Sequence, residues 1–315
     1  SYNAFYNNTI SIVSAPAYGM ILYGDYFNIT RNNISTSFWT EYALVLINVN
    51  HSLVDQNTIS VEDTLSSGIS IHGATNTTIS SNAVTTQQDN ANGLEFGCAN
   101  NCDLLNIENN IVTTSGTLSD PISLETFGAM TNCTFNNNTL IATDSGSKAI
   151  DIQLADANNN TFINNNLSAT GALTLYDGST GNNTLIYNNS HAEISWTSTN
   201  LTTATNLSIN SSIFLENNLA GLTTSSNNLE LNNTATITLK SVAGLSSPST
   251  QRNGQECGAI CSAVTDLGSN NYRFNVSEFS NYSLAGAGES CVNLSNTNTY
   301  QNKVVNVSGT YFIND

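Results

Sequence analysis

The chain has 315 residues, 9% of them charged, with 6 basic and 23 acidic side chains and a net charge of −17. No basic face is available for nucleic acid, an acidic surface repels anionic lipid, and no apolar run approaches the roughly 20 residues of a membrane helix. What the chain has instead is 52 asparagines.

From the first residues to Ser190, an apolar–x–x–Asn–x–apolar motif recurs eight times. It begins at Phe5–Asn8–Ile10 and Ile29–Asn32–Ile34. Val54–Asn57–Ile59, Ile79–Asn82–Val84, Ile107–Asn110–Val112, Phe135–Asn138–Leu140 and Phe162–Asn165–Leu167 follow, and Leu185–Asn188–Ser190 is the last. The asparagines lie 24, 25, 25, 28, 28, 27 and 23 residues apart. A self-similar period in the twenties identifies a solenoid. Twelve residues after each of six of them stands an alternating apolar pair: Met20/Leu22, Leu44/Leu46, Ile69/Ile71, Leu94/Phe96, Ile122/Leu124 and Ile150/Ile152. A seventh pair, Leu173/Leu175, comes early. Period-two alternation marks strands with one buried face. Two such strands per coil describe an all-β, right-handed parallel β-helix. The loops are expected to stretch around 85–92 and 113–120, where the period reaches 28.

Stacked coils lie about 4.8 Å apart, so equivalent residues form columns. Asn tolerates a left-handed corner, and its amide can bond the Asn above and below. Asn8, Asn32, Asn57, Asn82, Asn110, Asn138, Asn165 and Asn188 are therefore expected to form a structural ladder.

Residues 191–233 keep a β pattern, in Ile194/Trp196, Ile213/Leu215 and Leu229/Leu231, but lose the Asn register. They are read as last, irregular coils, giving a β-helix over 1–233. Residues 234–286 change character and are read as a small antiparallel β module that caps the solenoid's open end. Residues 287–315 are read as a linker and terminal strands, with alternation from Cys291 to Ile313. No signal peptide is visible, and Ser1 is expected to be a processed or truncated start.

Cys98/Cys102 and Cys257/Cys261 share a Cys-x3-Cys spacing in Gly- and Asn-rich surroundings. Zinc needs four ligands, and histidine is scarce, so two local disulfides in an oxidising compartment are the better reading. Cys133, two residues before Phe135, is expected to be a buried thiol. Nineteen Asn-x-Ser/Thr sequons fit an exported glycoprotein: Asn7, Asn28, Asn33, Asn50, Asn76, Asn132, Asn137, Asn159, Asn166, Asn182, Asn188, Asn200, Asn206, Asn210, Asn232, Asn275, Asn281, Asn293 and Asn306.

On these residues, the coils over 1–233 resemble the right-handed β-helix repeats of the pectate-lyase-like superfamily. The strand 234–240, the Cys-x3-Cys loop, and Phe274-Asn-Val276 with Phe279-Ser-Asn-Tyr282 resemble the closing module of archaeal β-helix cell-surface proteins. Cys291 to Ile313 resembles the opening strands of a further β-helix. That resemblance implies a later partner for Cys291, which this sequence lacks, so a fragment or completion by another chain is expected.

The resemblance also places any active site on the outer face of a parallel sheet. There one outward column reads Ile21, Val45, Ser70, Glu95, Ser123, Asp151, Thr174, and the next Tyr23, Ile47, His72, Gly97, Glu125, Gln153, Tyr176. Glu95, Glu125 and Asp151, with His72, form a candidate cation or glycan patch. Carboxylates two coils apart would stand about 9.6 Å from one another, near the upper end of inverting-glycosidase spacing, and oxygen ligands there could take Ca2+. The lyase reaction of the resembled family uses a basic residue beside calcium. Arg31 and Lys148 are the only ones within the eight coils, and Lys148 stands near the patch. No other cofactor is expected.

The expectation drawn from all this is a non-enzymatic, extracellular structural glycoprotein of the cell surface. Its partners are N-glycans and identical subunits, joined head to tail in a filament, sheath or surface layer through the terminal strands. A polysaccharide lyase or glycosidase and a glycan-binding adhesin are the alternatives.

Overall fold

The structure is a computed structural model and describes residues 3–13, 17–37, 42–125, 128–198, 201–204, 206–222 and 231–286. The fold is all-β: a parallel β-solenoid of about seven turns, continued by antiparallel strands at the C-terminal end. Each coil contributes to three sheets. In one coil, Asn33–Thr36 belongs to the second sheet, Leu44–Asn50 to the third and Leu53–Asp55 to the first.

In-register pairing gives each sheet an inward column. Ile29, Val54, Ile79, Ile107, Phe135, Phe162 and Leu185 line the first sheet. Ile34, Ile59, Val84, Val112, Leu140 and Leu167 line the second. Leu44, Ile69, Leu94, Ile122, Ile150 and Leu175 line the third. All are buried, and they join one hydrophobic cluster that runs on into the C-terminal strands. Burial of these β-branched and aromatic side chains is the main force holding the coils.

The corners carry the polar chemistry. Between the first and second sheets, Asn7, Arg31, Gln56, Ser81, Asn109, Asn137 and Asn164 adopt left-handed backbone, with φ between 51° and 58°. For a residue with a Cβ this costs about 1 kcal/mol. The asparagine that follows each one offsets that cost. Asn57 N and Nδ2 both donate to Asn82 Oδ1, at 2.9 and 3.0 Å, while Nδ2 also donates to Ile29 O at 2.8 Å. The same pattern joins Asn82 to Asn110, Asn110 to Asn138 and Asn138 to Asn165. Each amide thus needs two donor hydrogens and an acceptor oxygen, a set that only Asn supplies at this length.

Asn188 departs from the ladder expected of it. The strand Asn183–Asn188 runs straight through the corner position, and Asn188 is half-buried, paired with Asn164 rather than Asn165. The exposed end of the ladder is closed by Tyr187, whose hydroxyl donates to Asn165 O at 2.8 Å.

A second column stands at the corner between the third and first sheets. Phe27 N donates to Ser52 Oγ, Ser52 N to Thr77 Oγ1, Leu105 N to Cys133 Sγ, Cys133 N to Asn160 Oδ1 and Asn160 N to Asn183 Oδ1. Cys133 is therefore a buried rung of a mixed polar ladder, and burial pushes its thiol up to about 12.

The lengthening of the period from 25 to 28 does not fall at 85–92 or 113–120. The connections 87–93, 115–121 and 143–149 keep the length of 62–68. The extra residues interrupt the third sheet. Ile69–Thr75 is one strand, whereas later coils split into Leu94–Phe96 and Cys102–Asp103, Ile122–Leu124 and Met130–Thr131, and Ile150–Ile152 and Ala157–Asn158. The Cys98–Cys102 disulfide clips the first of these inserted loops.

Antiparallel pairing begins earlier than the expected boundary at 233. Ala192–Ser198 turns back along Asn183–Asn188 and in turn pairs Ala235–Leu239, which pairs Asn271–Val276. The strands Ala192–Ser198, Ile213–Glu216 and Leu219–Leu222 therefore contribute to the closing module rather than to further coils. Ile213–Glu216 and Leu219–Leu222 form a hairpin in a separate five-stranded sheet with Tyr282–Ala285 and Ser249–Arg252. Trp196, Phe279, Tyr282 and Phe274 pack ring on ring across this end. The Cys257–Cys261 disulfide ties the loop around Gly258–Ile260. Cys291 and the terminal strands expected at 287–315 lie outside the described residues.

Candidate functional site

The outer face of the third sheet gathers the chain's most concentrated polar chemistry. Glu95, Ser123 and Asp151 stand on successive coils in one column, and the pairing continues to Tyr176 rather than Thr174. The last inward pair is accordingly Leu175 and Asp177, not Leu173 and Leu175. Asp177 is buried, accepting from Ser179 N, Ser179 Oγ and Asn183 Nδ2.

The expected patch divides into two parts. Glu95 is half-buried and accepts a hydrogen bond from Ser67 Oγ, with the Asn92 amide among the groups that favour its charged form. Burial raises its proton affinity above the ordinary carboxylate range. The nearby Glu125 charge adds to this, while the two donors and His72 oppose it. His72 Nε2 lies 3.0 Å from Ser70 Oγ, and the Tyr42 ring approaches edge-on. Gly97 stands beside the imidazole, where a Cβ would come within 3.0 Å of His72 Nδ1. Glu125 accepts from Ser123 Oγ at 2.6 Å.

Asp151 is not a surface acid: it is 1% exposed. Its Oδ2 accepts from Lys148 Nζ at 2.7 Å and Gln153 Nε2 at 2.8 Å. Lys148 also lies 5.6 Å from the centre of the Tyr176 ring. Burial alone would lower the lysine's proton affinity, but the Asp151 hydrogen bond and the charges of Asp151 and Asp120 outweigh it, and the ammonium is held more firmly than usual. Asp120, also buried, accepts from Lys148 N at 2.6 Å and donates its own N–H to Asn92 Oδ1 at 2.9 Å. A polar network therefore runs Ser67–Glu95–Asn92–Asp120–Lys148–Asp151 across four coils. Among the described residues, no group of three His, Cys, Asp or Glu is placed to hold a metal ion.

Ser67, Asn92 and Asp120 were not singled out in the sequence, yet a signal was present. With Lys148 they fall ten residues after Asn57, Asn82, Asn110 and Asn138, in step with the ladder. Strand alternation did not find them because they sit in the turn before the strand.

The sequon asparagines separate from the ladder. Asn7, Asn33, Asn76, Asn132, Asn137, Asn159, Asn166, Asn182, Asn206, Asn210, Asn232, Asn275 and Asn281 are exposed, and Asn28, Asn50 and Asn188 are half-buried. Asn200, Asn293 and Asn306 lie outside the described residues. Several exposed sites hold their neighbours' side chains: Asn137 Nδ2 donates to Asn109 Oδ1, and Asn76 Nδ2 lies 2.9 Å from His51 Nδ1.

Compared with known proteins, the chain matches no family model, no curated protein and no solved structure.

Proposed function

We propose that the protein is a structural, extracellular glycoprotein built on a rigid β-solenoid, of the kind its closing module resembles in archaeal β-helix cell-surface proteins. The observation that carries this reading is the sorting of asparagines. The buried ladder members Asn32, Asn57, Asn82, Asn110, Asn138 and Asn165 stand outside sequons, while every described sequon asparagine reaches the surface. Corner grammar alone yields Asn-Asn-Thr at Asn7, Asn137 and Asn159, where a left-handed Asn precedes an Asn that bonds the next coil's Asn. It does not account for Asn206, Asn275 or Asn281 in the closing module. Two local disulfides agree with an oxidising compartment. The clamped state of Lys148 speaks against a lyase, because a lysine held as ammonium on Asp151 does not remove a proton at neutral pH.

The test is mass spectrometry of protein from its native source. Peptides carrying Asn76, Asn137, Asn206 and Asn281 should bear sugar, and those carrying Asn57, Asn82 and Asn110 should be bare. An intact native mass of 33.5 kDa would rule the glycoprotein out.

Head-to-tail assembly is the second element of the proposal. It rests on residues 291–315, whose alternation resembles the opening strands of a further β-helix. Strands of that kind add to a sheet edge through main-chain hydrogen bonds. Residues 291–315 of a second copy are the proposed donor, which makes a heterologous, propagating contact. Removing 291–315 should leave soluble monomers with unchanged β content by circular dichroism. Filaments growing unimpaired from the truncated chain would sink this part.

A further inference from the structure

The buried carboxyls under the third sheet carry an inference that does not depend on the glycoprotein reading. Asp151 has two donors on Oδ2 but no hydrogen-bond partner on Oδ1, which is buried. A carboxylate oxygen enclosed without a donor is costly. The group placed to relieve it is the Asp120 carboxyl of the preceding coil, 4% exposed and brought to Asp151 by Lys148, whose N donates to Asp120 Oδ1 and whose Nζ donates to Asp151 Oδ2. Two ionised carboxylates so enclosed would repel one another, whereas a carboxyl and a carboxylate form a charge-assisted O–H···O bond. We infer that Asp120 and Asp151 hold one proton between them in the folded protein, with Asp120 as donor and Asp151 Oδ1 as acceptor.

The partners settle which group is the acid. Asp151 faces the Lys148 ammonium and the Gln153 amide, both of which favour a carboxylate. Asp120 receives only the backbone N–H of Lys148. The Lys148 ammonium faces both acids, with Tyr176 on the next coil behind it. Beyond Asn92 stand Glu95 and, around it, Glu125 and His72. Burial, assisted by the Asp151 charge and opposed by Lys148, moves Asp120 from 3.8 to about 7.

The direction of the pH effect follows. The folded chain binds this proton about a thousandfold more tightly than the unfolded chain. Its stabilisation is full below the unfolded value of 3.8 and is lost as pH rises through about 7. The pair bridges two coils in the middle of the solenoid, so coil-to-coil cohesion there responds to pH near neutrality.

Infrared spectra of the intact chain, titrated from about pH 5 to about pH 9, test this. A protonated-carboxyl C=O band that disappears near neutrality, above the range in which ordinary carboxyls titrate, should be present in the wild type and absent from D120N. The D120N amide keeps a donor on Asp151 Oδ1 but cannot ionise. Its melting temperature should therefore stay level over the range in which the wild type's falls. E95Q should retain the band. A wild type without the band, a D120N protein with the wild-type fall, or loss of the band in E95Q would each overturn the assignment.

Discussion

Asn110→Leu is expected to lower the stability of the folded chain by about 3 kcal/mol, read as an earlier urea midpoint. Asn110 is fully buried, and its Oδ1 accepts from both Asn82 N and Asn82 Nδ2 at 2.9 Å. Leucine leaves the Asn82 N–H without that acceptor, inside the coil and away from water. Asn82 Nδ2 keeps its bond to Val54 O, and Asn138 Oδ1 keeps the backbone N–H of position 110. The loss therefore stays near the cost of one orphaned donor plus a poor fit at the corner. Asn110→Asp should be the worse variant at neutral pH. It keeps the acceptor but turns a charged oxygen toward Ile79 O or Asn138 Oδ1, where Nδ2 now donates to both. An Asp variant milder than the Leu variant would show that the donated hydrogens do not matter.

Phe135→Ala should cost about 4 kcal/mol, within the range for emptying a buried aromatic site. Phe135 stacks on Phe162 with ring centres 4.7 Å apart and receives Phe96 edge-on at 5.8 Å. These three rings come from three coils and two sheets, Phe135 and Phe162 from the first and Phe96 from the third, so the cavity would lie where cross-coil and cross-sheet packing meet. In a solenoid each coil touches only its neighbours, and a weak middle coil separates the coils before it from those joined to the closing module. The urea transition should therefore become shallower as well as earlier. A variant with unchanged midpoint and slope would place the cohesion elsewhere.

Much of this architecture was legible in the sequence. The ladder spacing gave the register, because a buried corner that needs a two-way amide admits few residues besides Asn. It overcounted the coils, eight being expected where there are about seven turns. The left-handed backbone expected of the ladder asparagines falls on the residue before each, so Arg31, Gln56 and Ser81 serve there as well as Asn. The inward pairs from Met20/Leu22 to Ile150/Ile152 were legible because period-two burial leaves a direct trace. Three things were not. Asn188 has the motif's leading Leu185 but Ser190 where the seven earlier copies have an apolar residue; that departure was passed over, and the antiparallel return of Ala192–Ser198, a tertiary effect, holds its strand straight. The inserted residues were misplaced because a period measures only the coil's total length. Asp151 was read as a surface acid because alternation points it outward. Only the turn columns of the neighbouring coils, with Lys148 and Asp120, show how an outward side chain becomes covered.

The asparagine ladder also fixes how the molecule bears load. Its hydrogen bonds, like those of the three sheets, run from coil to coil along the solenoid axis, while the chain itself runs around that axis. Tension along the axis consequently falls on non-covalent bonds rather than on the backbone, and it concentrates at whichever coil is last in the stack. The rungs open in sequence, as in a zipper, and each opened coil of 23 to 28 residues pays out a slack loop roughly 90 Å long. The clipped loop at Cys98–Cys102 shortens that slack in its own coil. A solenoid of this kind yields by lengthening in steps instead of by snapping.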